Sequence, residues 1–305
     1  MTLLLALLPA AAASPGTTLA DRVDRDGIER SLRVLTGDQE LDGAPIESRN
    51  IHHPDIARAQ AWLEAELGQL GAVRVEPFRA EREDLANLIF VIEGSEDLEP
   101  VLLGAHYDST ASRTEGWDAE ADPAPGADDD ASGVAALLEA ARVLSGWEGS
   151  FRRSIHVVLF SAEEQGLLGS THHVQQLEGP VHMALILDPV GHNPGQADWL
   201  FVSFDARWES AARALEASAQ ALDGSLEVGA VDQETFGGDA RSDHAPFWDA
   251  GMPALHAGTY PLPPAYHTVE DTLDVVDIDF VHQIARLTVL HAADLAEAQE
   301  RGLQQ

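Results

Sequence analysis

The sequence contains no cysteine and no lysine. Without cysteine, no disulfide, thiolate metal site or cysteine nucleophile can form, so any metal would be held by His, Asp and Glu. All 18 basic residues are arginine and are outnumbered by 52 Asp and Glu, which gives a net charge of −34. Because nucleic acids and anionic membranes require a positively charged face, this charge argues against both as partners.

Long apolar runs are also scarce. The first 14 residues, MTLLLALLPAAAAS, carry an apolar run of signal-peptide length that ends in small residues, without a basic segment before it. We therefore expect residues 1–14 to be a signal peptide for secretion or periplasmic export; the alternative is a buried N-terminal helix. No other segment has the ~18 or more uninterrupted apolar residues that a membrane span requires.

Short apolar segments alternate with segments of helical periodicity. The apolar segments predict strands within 87–94, 100–106, 153–162, 181–191, 198–204 and 252–258. The periodic segments predict helices within 53–71, 131–146, 164–177, 207–222, 243–251 and 277–298, whereas residues 15–50 are polar and loop-like with one short helical stretch. Continuous apolar strands indicate a sheet covered on both faces. We expect an α/β fold, a three-layer α/β/α sandwich with a central mixed, mostly parallel sheet, forming one domain over residues 15–305.

Residues with metal-binding side chains follow four of the predicted strands. They are His106 with Asp108, Glu163 with Glu164, Asp188, and His267. In open α/β sheets, ligands bind outside the carboxyl ends of the strands. The stretch PGADDDASG, residues 125–133, adds three consecutive aspartates at the start of a helix, whose dipole offsets only part of their charge. Two divalent cations would offset most of the combined negative charge of these Asp and Glu side chains, so the pattern predicts a two-metal site.

These segments resemble the co-catalytic zinc exopeptidases of clan MH, which include bacterial secreted aminopeptidases, glutamate carboxypeptidase and glutaminyl cyclase. The matching stretches, in the family's order, are LLGAHYDS, PGADDDASGVA, FSAEEQGLLGS, LILDPVG, RSDHAPFWDAGMPAL and YHTVEDT. The resemblance spans about residues 85–275. It implies the zinc-peptidase fold and, within the family, favours the aminopeptidase branch.

The resemblance also implies a cofactor, two divalent metal ions with zinc favoured, and five ligands. His106 and Asp188 would hold the first metal, and Glu164 and His267 would hold the second. Asp128, the first of the three aspartates, would bridge the two metals. In this family the peptide bond after the bridging Asp is typically cis, so the resemblance implies a cis Asp128–Asp129 bond.

Further roles follow from the same resemblance. Glu163 would be the general base. Asp108 would orient His106 through its other ring nitrogen, as residues behind metal ligands commonly do. Asp271 would act in the same way near His267.

Two residues have weaker assignments. Tyr266 resembles a tyrosine that, in some family members, donates a hydrogen bond to the tetrahedral intermediate; packing at the pocket wall is the alternative. Arg241 precedes the SDH stretch at a position that lines the pocket in relatives, which implies contact with the substrate.

The implied activity is that of an aminopeptidase. A metal-bridging water, with Glu163 as its base, would hydrolyse the N-terminal peptide bond of peptides that have a free N-terminus. Two alternatives stay open: a glutaminyl cyclase-like acyltransferase that releases ammonia, and a non-catalytic acidic binding module. Glutaminyl cyclases tend to have Trp before the last His ligand, where this chain has Tyr266. The sequence does not indicate an oligomeric state.

Overall fold

The computed structural model describes residues 14–297, apart from positions 194, 196–197, 223, 225 and 237–239. The helices are α1 Pro15–Ala20, α2 Arg25–Leu35, α3 Asp55–Gly68, α4 Gly133–Ser145, α5 Leu168–Gln176, α6 Glu209–Ala221, α7 Gln233–Phe236, α8 Ala245–Asp249 and α9 Ile278–Glu297. The strands are β1 Val73–Ala80, β2 Glu83–Ile92, β3 Val101–His106, β4 Ile155–Phe160, β5 Met183–Leu187, β6 Trp199–Phe204, β7 Glu227–Asp232 and β8 Ala254–Gly258.

The eight strands found among the described residues join one mixed sheet in the order β1-β2-β4-β3-β5-β8-β6-β7. The four central strands, β4, β3, β5 and β8, run parallel to one another. The pairs β1–β2, β2–β4 and β6–β8 are antiparallel, and β6–β7 is parallel. The carboxyl ends of the four central strands therefore meet along one edge of the sheet, which is where ligands bind in open α/β folds.

Helices cover both faces of the sheet because the central strands are apolar on both sides. In β5, Met183, Leu185 and Leu187 face the larger core, formed with α1–α4, α6 and α9, whereas Ala184 and Ile186 face a smaller core on the side of α5 and α8. This alternation is the period-2 pattern of a strand buried on both faces. The predicted α/β architecture with a mixed, mostly parallel central sheet is confirmed.

The structure differs from the sequence-based expectation near the N-terminus and at the outer strands. Residues 15–50, expected to hold one short helical stretch, contain two helices, α1 and α2. In α2, Ile28, Leu32 and Leu35 recur at helical spacing and are fully buried, so tertiary packing secures a segment whose composition is polar. The outer strands β1 and β7 were not predicted. Both are mostly half-buried or exposed, and β1 contains Pro77.

Among the described residues, no helix is long and apolar enough to cross a membrane. The predicted signal peptide, residues 1–14, lies outside the described residues except for Ser14. The Ser14 side chain accepts a hydrogen bond from the Thr17 backbone N–H and so caps α1.

Candidate metal centre

The imidazoles of His106 and His267 face each other across one carboxylate, that of Asp129. Asp129 Oδ1 lies 3.0 Å from His106 Nε2, and Asp129 Oδ2 lies 3.0 Å from His267 Nε2. His106 ends β3, whereas Asp129 lies in the irregular helical turn Ala127–Ser132 that precedes α4. The two oxygens of a single buried carboxylate therefore each lie beside a different imidazole.

One further carboxylate flanks each imidazole. Asp188 Oδ1, directly after β5, lies 3.4 Å from His106 Nε2. Glu164 Oε2, in the loop after β4, lies 3.1 Å from His267 Nε2. The result is two adjacent groups that share Asp129. Four of the five ligands expected from the resemblance, His106, Glu164, Asp188 and His267, come together at the edge where the four central strands end.

Asp128 is not part of this group, which corrects the assignment of the bridging aspartate. Asp128 Oδ1 accepts hydrogen bonds from the backbone N–H groups of Gly191, at 2.6 Å, and His192, at 2.9 Å, so its carboxylate points away from the imidazoles toward the loop after β5. The expected cis Asp128–Asp129 bond is likewise displaced by one residue, because the cis bond joins Asp129 and Asp130. The residue before the cis bond and between the imidazoles is Asp129.

Asp130, the third aspartate, caps helix α4. Its Oδ1 accepts the Gly133 N–H at 3.0 Å, and its Oδ2 accepts the His106 N–H at 3.2 Å. The three adjacent aspartates thus have three separate tasks: Asp128 holds the loop after β5, Asp129 faces both imidazoles, and Asp130 begins the helix. The expectation that at least one of them lies at a helix N-terminus is confirmed.

Asp108 connects the candidate base to His106. Its Oδ1 lies 3.5 Å from His106 Nδ1, and its backbone oxygen lies 3.2 Å from the same nitrogen. The two carboxylate oxygens accept the backbone N–H groups of Glu163, at 3.1 Å, and Glu164, at 3.2 Å. The loop is further constrained by Ala162, which has a φ of 59° that non-glycine residues rarely adopt. Asp108 therefore fixes the orientation of both the imidazole and the Glu-Glu pair.

Asp271 does not contact the His267 ring in the way expected. Its carboxylate instead accepts the backbone N–H groups of Asp128, at 2.9 Å, and Asp129, at 3.1 Å. Its backbone oxygen also accepts the Ala127 N–H at 2.9 Å. Asp271 therefore positions the turn that carries Asp129. Three residues separate it from His267, which has a φ of 62°, so the segment 267–271 contributes to the site at both ends.

Tyr266 stacks on His267, with the ring centroids 3.7 Å apart. Arg113 belongs to an acidic loop, residues 110–126, and its guanidinium lies 4.7 Å from the centroid of the Tyr266 ring. The Arg113 backbone N–H donates a hydrogen bond to the backbone oxygen of His267. A cavity of about 550 Å³ opens nearby and is lined by the preceding residues Pro263, Pro264 and Ala265. Arg241 is exposed and lies two residues before the buried Asp243.

The carboxylates of the site differ in the direction of their pKa shifts. Burial would raise the pKa of Asp129, but the contacts with His106 and His267 outweigh it and lower that pKa. Burial, reinforced by the charge of Asp129, raises the pKa of Glu164 to about 7. Burial, reinforced by Asp188, Asp243 and Glu164, raises the pKa of Glu163 well above its usual range. Burial opposes the charge on His267, but the contacts with Asp129 and Glu164 outweigh it and raise its pKa to about 9. So much buried negative charge favours the binding of cations.

The donor set fits divalent metals. The ligand atoms of Asp129, Glu164 and His267 lie within 4.8 Å of one another, as do those of His106, Glu163 and Glu164. Glu164 Oε1 is buried and has no hydrogen-bond partner. Imidazole and carboxylate donors without thiolates suit zinc, cobalt or manganese.

The chain is similar to known proteins in both sequence and fold. A family model described as Peptidase family M28 matches residues 87–292, more than half of the chain. The aminopeptidase YwaD of Bacillus subtilis is 31% identical over 201 residues, 61% of this chain and 39% of YwaD. A glutaminyl-peptide cyclotransferase-like protein of Mus musculus is 26% identical over 307 residues, 87% of this chain and 79% of that protein.

The solved structure of the Legionella pneumophila LapA aminopeptidase superposes with a TM-score of 0.78 at 21% identity. It covers 97% of this chain and 80% of the LapA chain, so the two proteins share their fold. The chain spans only 39% to 65% of the length of several curated relatives, YwaD among them.

Proposed function

Because the chain belongs to peptidase family M28, we propose that it is a zinc-dependent aminopeptidase that hydrolyses the N-terminal peptide bond of peptides. One observation carries the proposal: a single buried carboxylate, Asp129, lies 3.0 Å from two imidazole nitrogens, and Asp188 and Glu164 complete the two sides. We take residues 15–305 as one catalytic domain.

His106, Asp129 and Asp188 would hold one zinc ion, and Asp129, Glu164 and His267 would hold the second. When bound, the two ions would polarise the scissile carbonyl and lower the pKa of a water molecule toward neutrality. Asp129 is suited to contact both ions, because each of its carboxylate oxygens lies beside a different imidazole.

Glu163 is the candidate general base. It lies in the group formed with His106 and Glu164, and Asp108 fixes its backbone. Glu163 accepts a proton from the attacking water and delivers it to the leaving amine. Burial raises the pKa of Glu163, which increases its affinity for the proton that it must accept.

The remaining residues would bind the substrate. Tyr266, fixed by the stack on His267 and by Arg113 over its ring, would donate its hydroxyl to the developing oxyanion. The anionic site attracts the α-ammonium group of a peptide with a free N-terminus. The cavity beside residues 263–265 would receive part of the peptide. Arg241, exposed next to the SDH segment, would contact the substrate at the rim.

Replacement of the base tests the proposal directly. We expect Glu163→Gln to keep two zinc ions per chain and to lower kcat for leucine p-nitroanilide by about 10²–10⁴-fold, the usual contribution of a general base. The measurements are steady-state kinetics and metal analysis of the same sample. The matched control is Glu164→Gln, which should lose zinc along with activity. Unchanged turnover in Glu163→Gln would exclude it as the base.

The match to the mouse cyclotransferase-like protein, which spans most of the chain, supports one competing function, an acyltransferase that cyclises N-terminal glutamine. The two reactions have different products. A coupled assay for ammonia with a glutaminyl peptide, run beside the leucine p-nitroanilide assay, separates them. Release of ammonia without hydrolysis of leucine p-nitroanilide would replace the aminopeptidase proposal with the cyclase.

We also propose that residues 1–14 are a signal peptide that directs export of the protein. Supporting this, residues 1–14 carry an apolar run that ends in small residues. N-terminal sequencing of protein recovered from the periplasm or medium tests the proposal, and an intact Met1 there would contradict it.

A further inference from the structure

We infer that Arg49 is a positioning residue for the candidate metal centre: it joins the end of β3, which carries His106, to the turn that carries Asp129. The inference rests on the proposed metal site and goes beyond it, because Arg49 touches neither the imidazoles nor the carboxylates expected to bind metal. It concerns how the ligands are kept in place.

The guanidinium of Arg49 is fully buried and donates only to backbone carbonyls. Its Nε donates to the Tyr107 oxygen at 2.8 Å, directly after His106. Its Nη1 donates to Pro125 at 2.5 Å, and its Nη2 donates to Gly126 at 2.9 Å. A second bond from Nη1 reaches the Leu35 oxygen, at the end of α2, at 2.7 Å. A single planar group thus holds three separate segments.

The turn bound by Arg49 begins at a glycine whose backbone conformation and close surroundings leave no room for a side chain. Gly126 has a φ of 53°, and a Cβ at that position would lie 2.4 Å from the Asp129 oxygen and 3.0 Å from Arg49 Nη2. Arg49 holds the carbonyls at the start of the turn, and the Asp271 carboxylate holds the N–H groups of Asp128 and Asp129 farther along. The Arg49 guanidinium therefore binds the carbonyl groups of this turn, and the Asp271 carboxylate binds its N–H groups, although the two residues are far apart along the chain.

The charge of Arg49 has a second effect. Burial lowers the pKa of Arg49 to about 10, and the nearby carboxylates of Asp271, Asp130 and Asp108 oppose this decrease, so the group remains charged at neutral pH. A fixed positive charge beside these buried carboxylates lowers the cost of bringing them together before any metal binds.

The substitution Arg49→Lys separates the effect of the geometry of the Arg49 side chain from the effect of its charge. It keeps the charge but replaces the planar fork with a point charge that cannot satisfy four separated carbonyls. Arg153 provides a matched control, because it is also buried and donates to a backbone carbonyl, that of Glu99, but lies where β4 begins, at the opposite edge of the sheet from the site.

The experiment measures zinc affinity by competition with a chelating dye, without reference to activity. We expect Arg49→Lys to raise the zinc dissociation constant by about 10–100-fold, the range seen when groups behind metal ligands are replaced. Arg153→Lys should leave the constant within about twofold of the wild type. Circular dichroism of each variant checks that it is folded.

A second measurement excludes a general loss of stability as the cause. In cobalt-substituted protein the visible absorption spectrum reports ligand geometry, and we expect Arg49→Lys to change it while Arg153→Lys does not. Equal zinc affinities and identical spectra for the two folded variants would overturn the inference. If the wild type itself binds no zinc, the proposed function fails instead, so the two failures are distinguishable. If Arg49→Lys does not fold, Arg49→Gln is assessed by the same two measurements and criteria.

Discussion

At the scale of single residues, the three consecutive aspartates differ in what their carboxylates contact. Asp129 faces His106 and His267, whereas Asp128 accepts two backbone N–H groups of the loop after β5. Asparagine at position 128 keeps an oxygen that can accept those N–H groups. Asparagine at position 129 replaces one of the two oxygens that face the imidazoles with an N–H₂ group, which cannot bind a metal.

We therefore expect Asp129→Asn to bind fewer than two zinc ions per chain after dialysis and to lose activity by at least about 10²-fold, which exceeds the usual effect of replacing a residue behind the ligands. Asp128→Asn should keep both ions and stay within about tenfold of wild-type kcat. Metal analysis and steady-state kinetics are measured on both variants, and each variant is the control for the other. A greater loss of zinc in Asp128→Asn would return the bridging role to Asp128.

The same residues show where sequence reasoning stops. The patterns at the strand ends and the order of the motifs were sufficient to select four residues that the structure brings together: His106, Glu164, Asp188 and His267. They could not choose among three identical neighbouring side chains, because that choice depends on a backbone turn held by Gly126, Arg49 and Asp271. Arg49 itself was missed, since a buried arginine that donates only to carbonyls leaves no motif in the sequence.

At the scale of secondary-structure elements, a buried polar network joins the β1–β2 hairpin to the site. Glu76 Oε2 on β1 lies 2.9 Å from His173 Nδ1 on α5, and Asn87 on β2 donates to the same oxygen at 3.1 Å. Asn87 Oδ1 also accepts the N–H of Ser161, two residues before Glu163. The network therefore fixes the hairpin and the end of β4 relative to each other.

We expect Glu76→Gln to lower the free energy of unfolding by about 1–3 kcal/mol at pH 7, the cost of disturbing a buried, charged hydrogen bond. Burial alone would raise the pKa of Glu76, but the contacts with His173 and Asn87 outweigh it, so the pKa lies below its usual 4.5. The stabilisation is therefore present above pH 4.5 and is lost as the pH falls through the lower folded value.

Urea unfolding at pH 7 and in the acid range measures this effect. The control is Asp84→Asn on the same hairpin, whose exposed pair with Arg79 should contribute little at either pH. A deficit in Glu76→Gln that is unchanged below the folded pKa would contradict an ionic origin.

The outer strands show why parts of the sheet were not predicted. The central strands β3, β4 and β5 are short, continuous apolar segments, and the sequence located each of them within a few residues. The edge strands β1 and β7 carry Glu, Arg, Pro or Gly and are mostly half-buried or exposed. Their strand conformation comes from pairing with β2 and β6, a tertiary interaction that local composition does not report.

At the scale of the whole molecule, the net charge of −34 should make stability depend on salt. Unbalanced surface carboxylates repel one another, and the distance over which they interact falls from about 30 Å at 0.01 M salt to about 10 Å at 0.1 M. We expect the Tm of zinc-saturated protein to rise by several degrees between 0.01 and 0.3 M NaCl, since about 1 kcal/mol shifts Tm by roughly 2–4 °C in domains of similar size.

Calorimetry in NaCl and in NaClO₄ at matched ionic strength tests this explanation. Both salts screen charge, whereas their effects on apolar hydration differ, so parallel increases at low concentration indicate screening. A Tm that is constant over this range, or that rises in NaCl alone, would contradict electrostatic self-repulsion as the cause.

The order in which the candidate ligands occur along the chain has a consequence for biosynthesis. His106 comes from the third strand, and His267 comes from the loop beyond β8, the last of the described strands along the chain. A polypeptide still emerging from the ribosome would have made His106, Asp129, Glu164 and Asp188 long before their last partner appears. The nascent chain would therefore lack one ligand of the second proposed ion, and the proposed activity would require translation to pass β8 and reach His267.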